Sequence, residues 1–150
     1  QEHNSPVFRP HVAVLENLQG SNEVLAKVQK FSERTRSFKA ELEGIIFAQE
    51  VYKALGLIVR SNPNILRFYV GINTELGIPI HEFYPRLPLF LDQNADGTER
   101  TFLDPSAKTR IAKWINYKYP RQFVSYRVMV YSTPPAVKDW KFVAEFPFTK

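Results

Sequence analysis

Between residues 24 and 59 the hydrophobic positions recur every seven residues: Val24, Phe31, Phe38, Ile45, Tyr52 and Val59, with Val28 and Leu42 at intervening d positions. In a helix this spacing draws one apolar stripe along one side. Ser21 and Asn22 precede it, and either side chain can accept a bond from a free N–H of the first turn. Thr35, Gln49 and Gly56 fill the other d positions, so the stripe is too interrupted for a coiled coil buried along its whole length. Helical throughout, the segment would reach about 54 Å, longer than a domain of this size is wide. The pattern therefore predicts a long N-terminal amphipathic helix that either projects or breaks at Gly44 or Gly56 and folds back as two helices on one core.

At "SNPN", Pro63 and the asparagines are expected to end that helix, and beyond it two-fold alternation and β-branched and aromatic residues become more frequent. Strands are expected at "LRFYVG", "IPIHEF", "LPLFL", "TERTFL", "QFVSYRVMVYS" and "DWKFVAEFPF", with a second helix over residues 105 to 118. Trp140, Phe142, Ala144, Phe146 and Phe148 share one face of the last strand, opposite Lys141 and Glu145. A sheet with one dry side needs helices to cover it. The expected fold is therefore α+β, the long helix packed on an antiparallel sheet with the helix at 105 to 118, in a ferredoxin-like or PAS-like arrangement. Residues 1 to 20, with Pro6, Pro10 and Gly20, read as an N-terminal arm, and residues 21 to 150 as a single domain.

Composition narrows the classes. The 150 residues are ample for one core, and no run of some twenty apolar residues offers a membrane span. The start "QEHNSPVFRP" has no basic stretch followed by an apolar one, so a signal peptide is absent or already removed. No cysteine is present, which excludes disulfides, thiolate nucleophiles and cysteine-based zinc sites. The compartment stays open, with a periplasmic or secreted location favoured. The net charge of +5 reads first as a solvated surface.

The stretch "LDQNADGTERTFLD" sets Asp92, Asn94, Asp96 and Gly97 at calcium-loop spacing, but position twelve, where a bidentate carboxylate belongs, is Leu103. A hairpin turn explains the same residues, leaving Asp92, Asn94 and Asp96 a weak metal candidate. Asp104 before Pro105 suits the cap of the second helix. That helix and its exit interleave Lys108, Arg110, Lys113, Lys118 and Arg121 with Trp114, Tyr117 and Tyr119, a possible basic patch for nucleic acid. Ile111, Trp114 and Ile115 are expected to face the sheet. A pocket between helix and sheet would be lined by Tyr69, Tyr126 and Arg127. His81 and Glu82 are adjacent on an expected strand and point apart.

No catalytic motif stands out, and no cofactor is expected. The reading is a non-enzymatic interaction or assembly domain, docking through Val24, Phe31, Phe38, Ile45 and Tyr52 or through a sheet edge. Its partner would be another protein or a second copy. The alternatives are an extracytoplasmic, PAS-like sensor for a small-molecule ligand and a basic nucleic-acid-binding accessory protein.

Overall fold

The computed structural model describes residues 11–16, 18–47, 55–90, 105–118 and 121–150. Helix α1, Asn22–Glu33, starts where Ser21 Oγ accepts from the Val24 N–H at 3.2 Å. It stops at Arg34. The Ser32 and Thr35 hydroxyls donate back to the Val28 and Phe31 carbonyls, at 2.8 and 2.9 Å, occupying acceptors of the last turns. The chain then extends into β1, Phe38–Phe47, and later into β2, Leu55–Val59, which pairs with it antiparallel. The long helix expected over residues 24 to 59 is thus not formed, and Gly44 and Gly56 lie inside strands.

"SNPN" begins a helix instead of ending one. The Asn62 side chain accepts from the Asn64 and Ile65 N–H groups at 2.9 and 3.1 Å, and α2 runs Pro63–Leu76 to a left-handed cap at Gly77, φ 67°. The strand expected at "LRFYVG" therefore lies within α2, where Ile65, Phe68, Tyr69 and Ile72 repeat at helical spacing and are buried. The strand expected at "IPIHEF" is not formed either; the chain there is irregular, tied to α2 where the His81 N–H donates to the Tyr69 hydroxyl at 3.3 Å. Strand β3, Arg86–Phe90, falls on the expected "LPLF" run, and α3 spans Pro105–Lys118. Strands β4, Gln122–Ser125, β5, Arg127–Ser132, and β6, Lys141–Pro147, with a 3-10 turn at Val137–Asp139 between the last two, complete the described elements.

The strands order as β3-β2-β1-β4 in one antiparallel sheet and β5-β6 in another. Tyr126 joins them, its carbonyl accepting from Phe148 N–H at 2.8 Å while Thr149 bridges to Arg36. Val28 of α1, Phe68 and Ile72 of α2, and Phe148 form one core, with Val128, Val130 and Phe146 against it. Ile65 of α2 packs with Ala40 and Val59, and Ile115 of α3 with Leu55 and Leu57. All three helices therefore cover one side of the α+β structure, with Val12, Val14 and Leu15 also packed into it. On the other side Lys39, Glu41, Glu43, Gln122 and Val124 are exposed.

Register shifts decide which side chains reach that open side, one of them between Leu55 and Gly56, where β2 pairs with β3. A register shift between Leu42 and Gly44 keeps Phe38, Ala40, Leu42 and Ile45 inward and turns both Glu43 and Gly44 outward. A further shift, between Val130 and Tyr131, leaves Phe142 against the edge of the Tyr131 ring and 54% exposed. Of the dry face expected on the last strand, Ala144, Phe146 and Phe148 are the inward-facing part. Along α3, Ala107, Ile111 and Ile115 align at four-residue intervals toward β2, which leaves Trp114, expected beside them, 59% exposed.

Candidate anion-binding face

The register places six residues side by side on the face that no described element covers: Gly44 and Ile46 on β1, Ile58 and Gly56 on β2, Arg86 and Pro88 on β3. Arg86 is cross-strand partner to Ile58, and Ile58 to Gly44. A Cβ at Gly44, two strands from Arg86 across Ile58, would meet nothing within 4 Å. Arg86 is itself half-buried, and among the described residues no carboxylate or hydrogen-bond acceptor engages it. A guanidinium stripped of part of its water and given no counter-charge is a site for an anion, which it grips with two parallel N–H bonds.

The other cations on the sheets differ. Arg60 Nη1 donates to Glu41 Oε2 at 2.6 Å, and its Nε stands 3.6 Å from Glu43. Lys39, also without a described partner, pairs in register with Val124 at the far end of β1. On the second sheet Arg127 donates to Glu145 at 2.9 Å, a bond that raises its already high pKa, and its guanidinium lies over the Tyr126 ring at 4.9 Å.

Two of the three histidines are described. His81 is exposed, with its backbone anchored to Tyr69. His11 is half-buried with its ring 6.2 Å from that of Trp140, and the next residue, Val12, packs into the cluster that also takes Leu87, the neighbour of Arg86. His11 and Arg86 thus precede two residues of one core. Among the described residues no three histidine or carboxylate side chains gather as they would around a metal ion.

The residues singled out from sequence lie elsewhere. Val24, Phe31 and Phe38 pack around Val28 and Phe68, and Ile45 packs against the Leu55 cluster. Tyr52 and the Asp92, Asn94 and Asp96 loop lie outside the described residues, as do the side chains of Lys108, Tyr117 and Lys118. Arg110, Lys113 and Arg121 are exposed. Tyr126 and Arg127 are adjacent on the strand bend, but Tyr69 is buried in the helical layer, stacked on Phe83 at 4.1 Å. Arg86 was not singled out, because one arginine before "LPLF" has no motif; only the strand register shows its surroundings.

The chain resembles solved structures over 99% of its length. Against Escherichia coli LigT in apo form the TM-score is 0.60 at 10% identity, covering 83% of that chain. Against LigT complexed with 3'-AMP it is 0.57 at 11% identity, covering 82%. Against a phosphoesterase it is 0.59 at 10% identity, covering 84%. Other LigT structures in this group are complexed with ATP, NADP+ and phosphate. No protein-family model matches the chain, and no curated protein matches it. The expected ferredoxin-like or PAS-like arrangement is not confirmed by these similarities. The reading as a non-enzymatic interaction domain, with its sensor and nucleic-acid alternatives, is overturned: the fold is one that phosphoesterases have, and the long docking helix does not exist. No helix among the described residues is long and apolar enough to cross a membrane.

Proposed function

We propose that the protein is a phosphoesterase whose substrate phosphoryl group sits on the uncovered sheet face against Arg86. The observation carrying this reading is the likeness to a phosphoesterase over nearly the whole chain. The half-buried guanidinium, which has no partner among the described residues, supplies the matching chemistry. Its fork neutralises charge on two phosphoryl oxygens and is already in place as that charge grows in the transition state.

Ester cleavage also needs a proton moved to or from oxygen, and a histidine titrates where such transfer is useful. Of the two described histidines we assign that role to His11, which is half-buried beside Trp140 and whose neighbour Val12 packs in the same core as Leu87, the neighbour of Arg86. LigT holds phosphate and several nucleotides, so a small phosphate-bearing molecule is the proposed ligand class here.

The test is turnover of bis(p-nitrophenyl) phosphate and p-nitrophenyl phosphate, with inorganic phosphate and 3'-AMP as binding probes. His11→Gln should lower kcat by roughly 10²-fold or more while phosphate still binds. Arg86→Gln should lose phosphate binding with the fold intact. A wild-type protein that neither turns over an ester nor binds either probe would refute the reading.

A further inference from the structure

The connection from β5 to β6 carries Pro134 and Pro135, then the 3-10 turn Val137–Asp139, and ends on Trp140. Each proline ring fixes its own φ, so a stiff stretch of backbone presents the Pro134 carbonyl. That carbonyl accepts from the Trp140 indole Nε1–H at 2.9 Å, and the Val137 carbonyl accepts from the Trp140 backbone N–H at 3.0 Å. Val137 is buried, which anchors the turn. The indole is therefore tied at its backbone and at its pyrrole edge, which restricts both of its side-chain torsions. Against it lies the His11 imidazole, from the opposite end of the chain, with centroids 6.2 Å apart and 61° between the planes. This is an edge-to-face aromatic contact, whose attraction favours one relative tilt of the rings. His11 is half-buried, and a ring turned out of this tilt would forfeit the contact.

We propose that Trp140 is a positioning residue that holds the His11 imidazole in one orientation for proton transfer. The inference rests on the assignment of that transfer to His11. An imidazole passes a proton along the direction of its ring nitrogen, so both distance and ring direction have to match the ester oxygen. A misplacement of about 1 Å, caused by a change outside the chemistry, can cost roughly 10²-fold in rate. Val12 packs into the core and so fixes the backbone next to His11. That leaves the two side-chain torsions of the histidine to choose among rotamers, and the indole wall narrows the choice. In this role Trp140 acts through the histidine, so it affects the chemical step and leaves substrate affinity alone.

Steady-state turnover of bis(p-nitrophenyl) phosphate by the full chain tests this in the wild type, Trp140→Leu, Trp140→Phe, His11→Gln and the pair His11→Gln/Trp140→Leu, with unfolding midpoints read by circular dichroism. Trp140→Leu should lower kcat roughly 10- to 100-fold with KM within about twofold. Trp140→Phe keeps an aromatic ring beside the imidazole and should recover most of that loss. With the histidine gone there is nothing to position, so adding Trp140→Leu to His11→Gln should change the residual rate by less than about twofold. Three results overturn the positioning role while the drop in His11→Gln keeps the histidine assignment: an unchanged kcat in Trp140→Leu, an undiminished loss in the His11→Gln background, or a Trp140→Phe variant as slow as Trp140→Leu. Turnover that survives His11→Gln at the wild-type level removes the assignment itself, and this inference with it. A proton NMR spectrum of the wild type, which needs no variant to fold, should show cross-relaxation between the His11 and Trp140 ring protons, and its absence overturns the contact on which the role depends.

Discussion

Gly71 of α2 lies directly under the ring of Phe31 of α1: a Cβ built on Gly71 would stand 2.6 Å from the ring Cζ and 2.8 Å from Cε2. Phe31 cannot simply move away, because its ring packs on Phe68 at 5.6 Å. In an open helix interior, glycine to alanine gains about 1 kcal/mol. Here overpacking should reverse the sign, and Gly71→Ala should cost about 1–2 kcal/mol in urea unfolding. Adding Phe31→Leu to the same variant should recover part of the loss.

Gly44 and Gly56 lie on the same open face and should respond differently. A methyl at Gly44 meets nothing, and Ile58 stands between Gly44 and Arg86, so Gly44→Ala should leave both the unfolding midpoint and phosphate binding in place. A methyl at Gly56 would stand 2.8 Å from the Leu87 carbonyl oxygen, which is backbone and moves only if β3 moves. Gly56→Ala should therefore cost about 1–3 kcal/mol and reduce binding as well. Unfolding and phosphate titration of the two variants side by side separate the effects.

Asn62 holds the start of α2 through two backbone N–H groups, so Asn62→Ala should destabilise by about 1 kcal/mol and Asn62→Asp by much less. Thermal unfolding followed at 222 nm reads both.

The Tyr84 hydroxyl donates to Glu82 at 2.8 Å, and that bond, with the carboxylate's negative charge, raises its pKa above the ordinary tyrosine value. The phenol gives up its proton less readily because the phenolate would repel Glu82. In an alkaline titration at 295 nm, one tyrosine should ionise late. Glu82→Gln should shift that step toward lower pH.

The seven-residue stripe misled for a definable reason. Seven residues is close to two helical turns, whereas in a regular strand positions 38 and 45 would face opposite ways. The shift at Leu42/Gly44 inserts the extra residue that brings Phe38 and Ile45 onto one side, so a bulged strand imitates a helix. In α2 the aromatic and branched residues suggested a strand, although Ile65, Phe68, Tyr69 and Ile72 had helical spacing and Asn62-Pro63 was a start signal. The second helix was legible to its bounds and β6 from alternation, whereas the single strand expected over 122–132 is broken at Tyr126 into β4 and β5, which lie in different sheets. The candidate site was not. Arg86, Ile58 and Gly44 come together only through the pairing of three strands, which no local pattern specifies.

The joint between Thr149 and the entrance to β1 has a consequence for how the chain folds on the ribosome. Ser37 and Thr35 bond to a residue more than 110 positions later, and Phe148 rests against Phe38 and Phe68 with centroids at 6.3 and 5.3 Å. While the nascent chain stops short of residue 148, the apolar sides of α1 and α2 lack their lid. Those surfaces remain available to chaperones, or to other unfinished chains, until the distant strand arrives, and closing so long a loop comes late in folding.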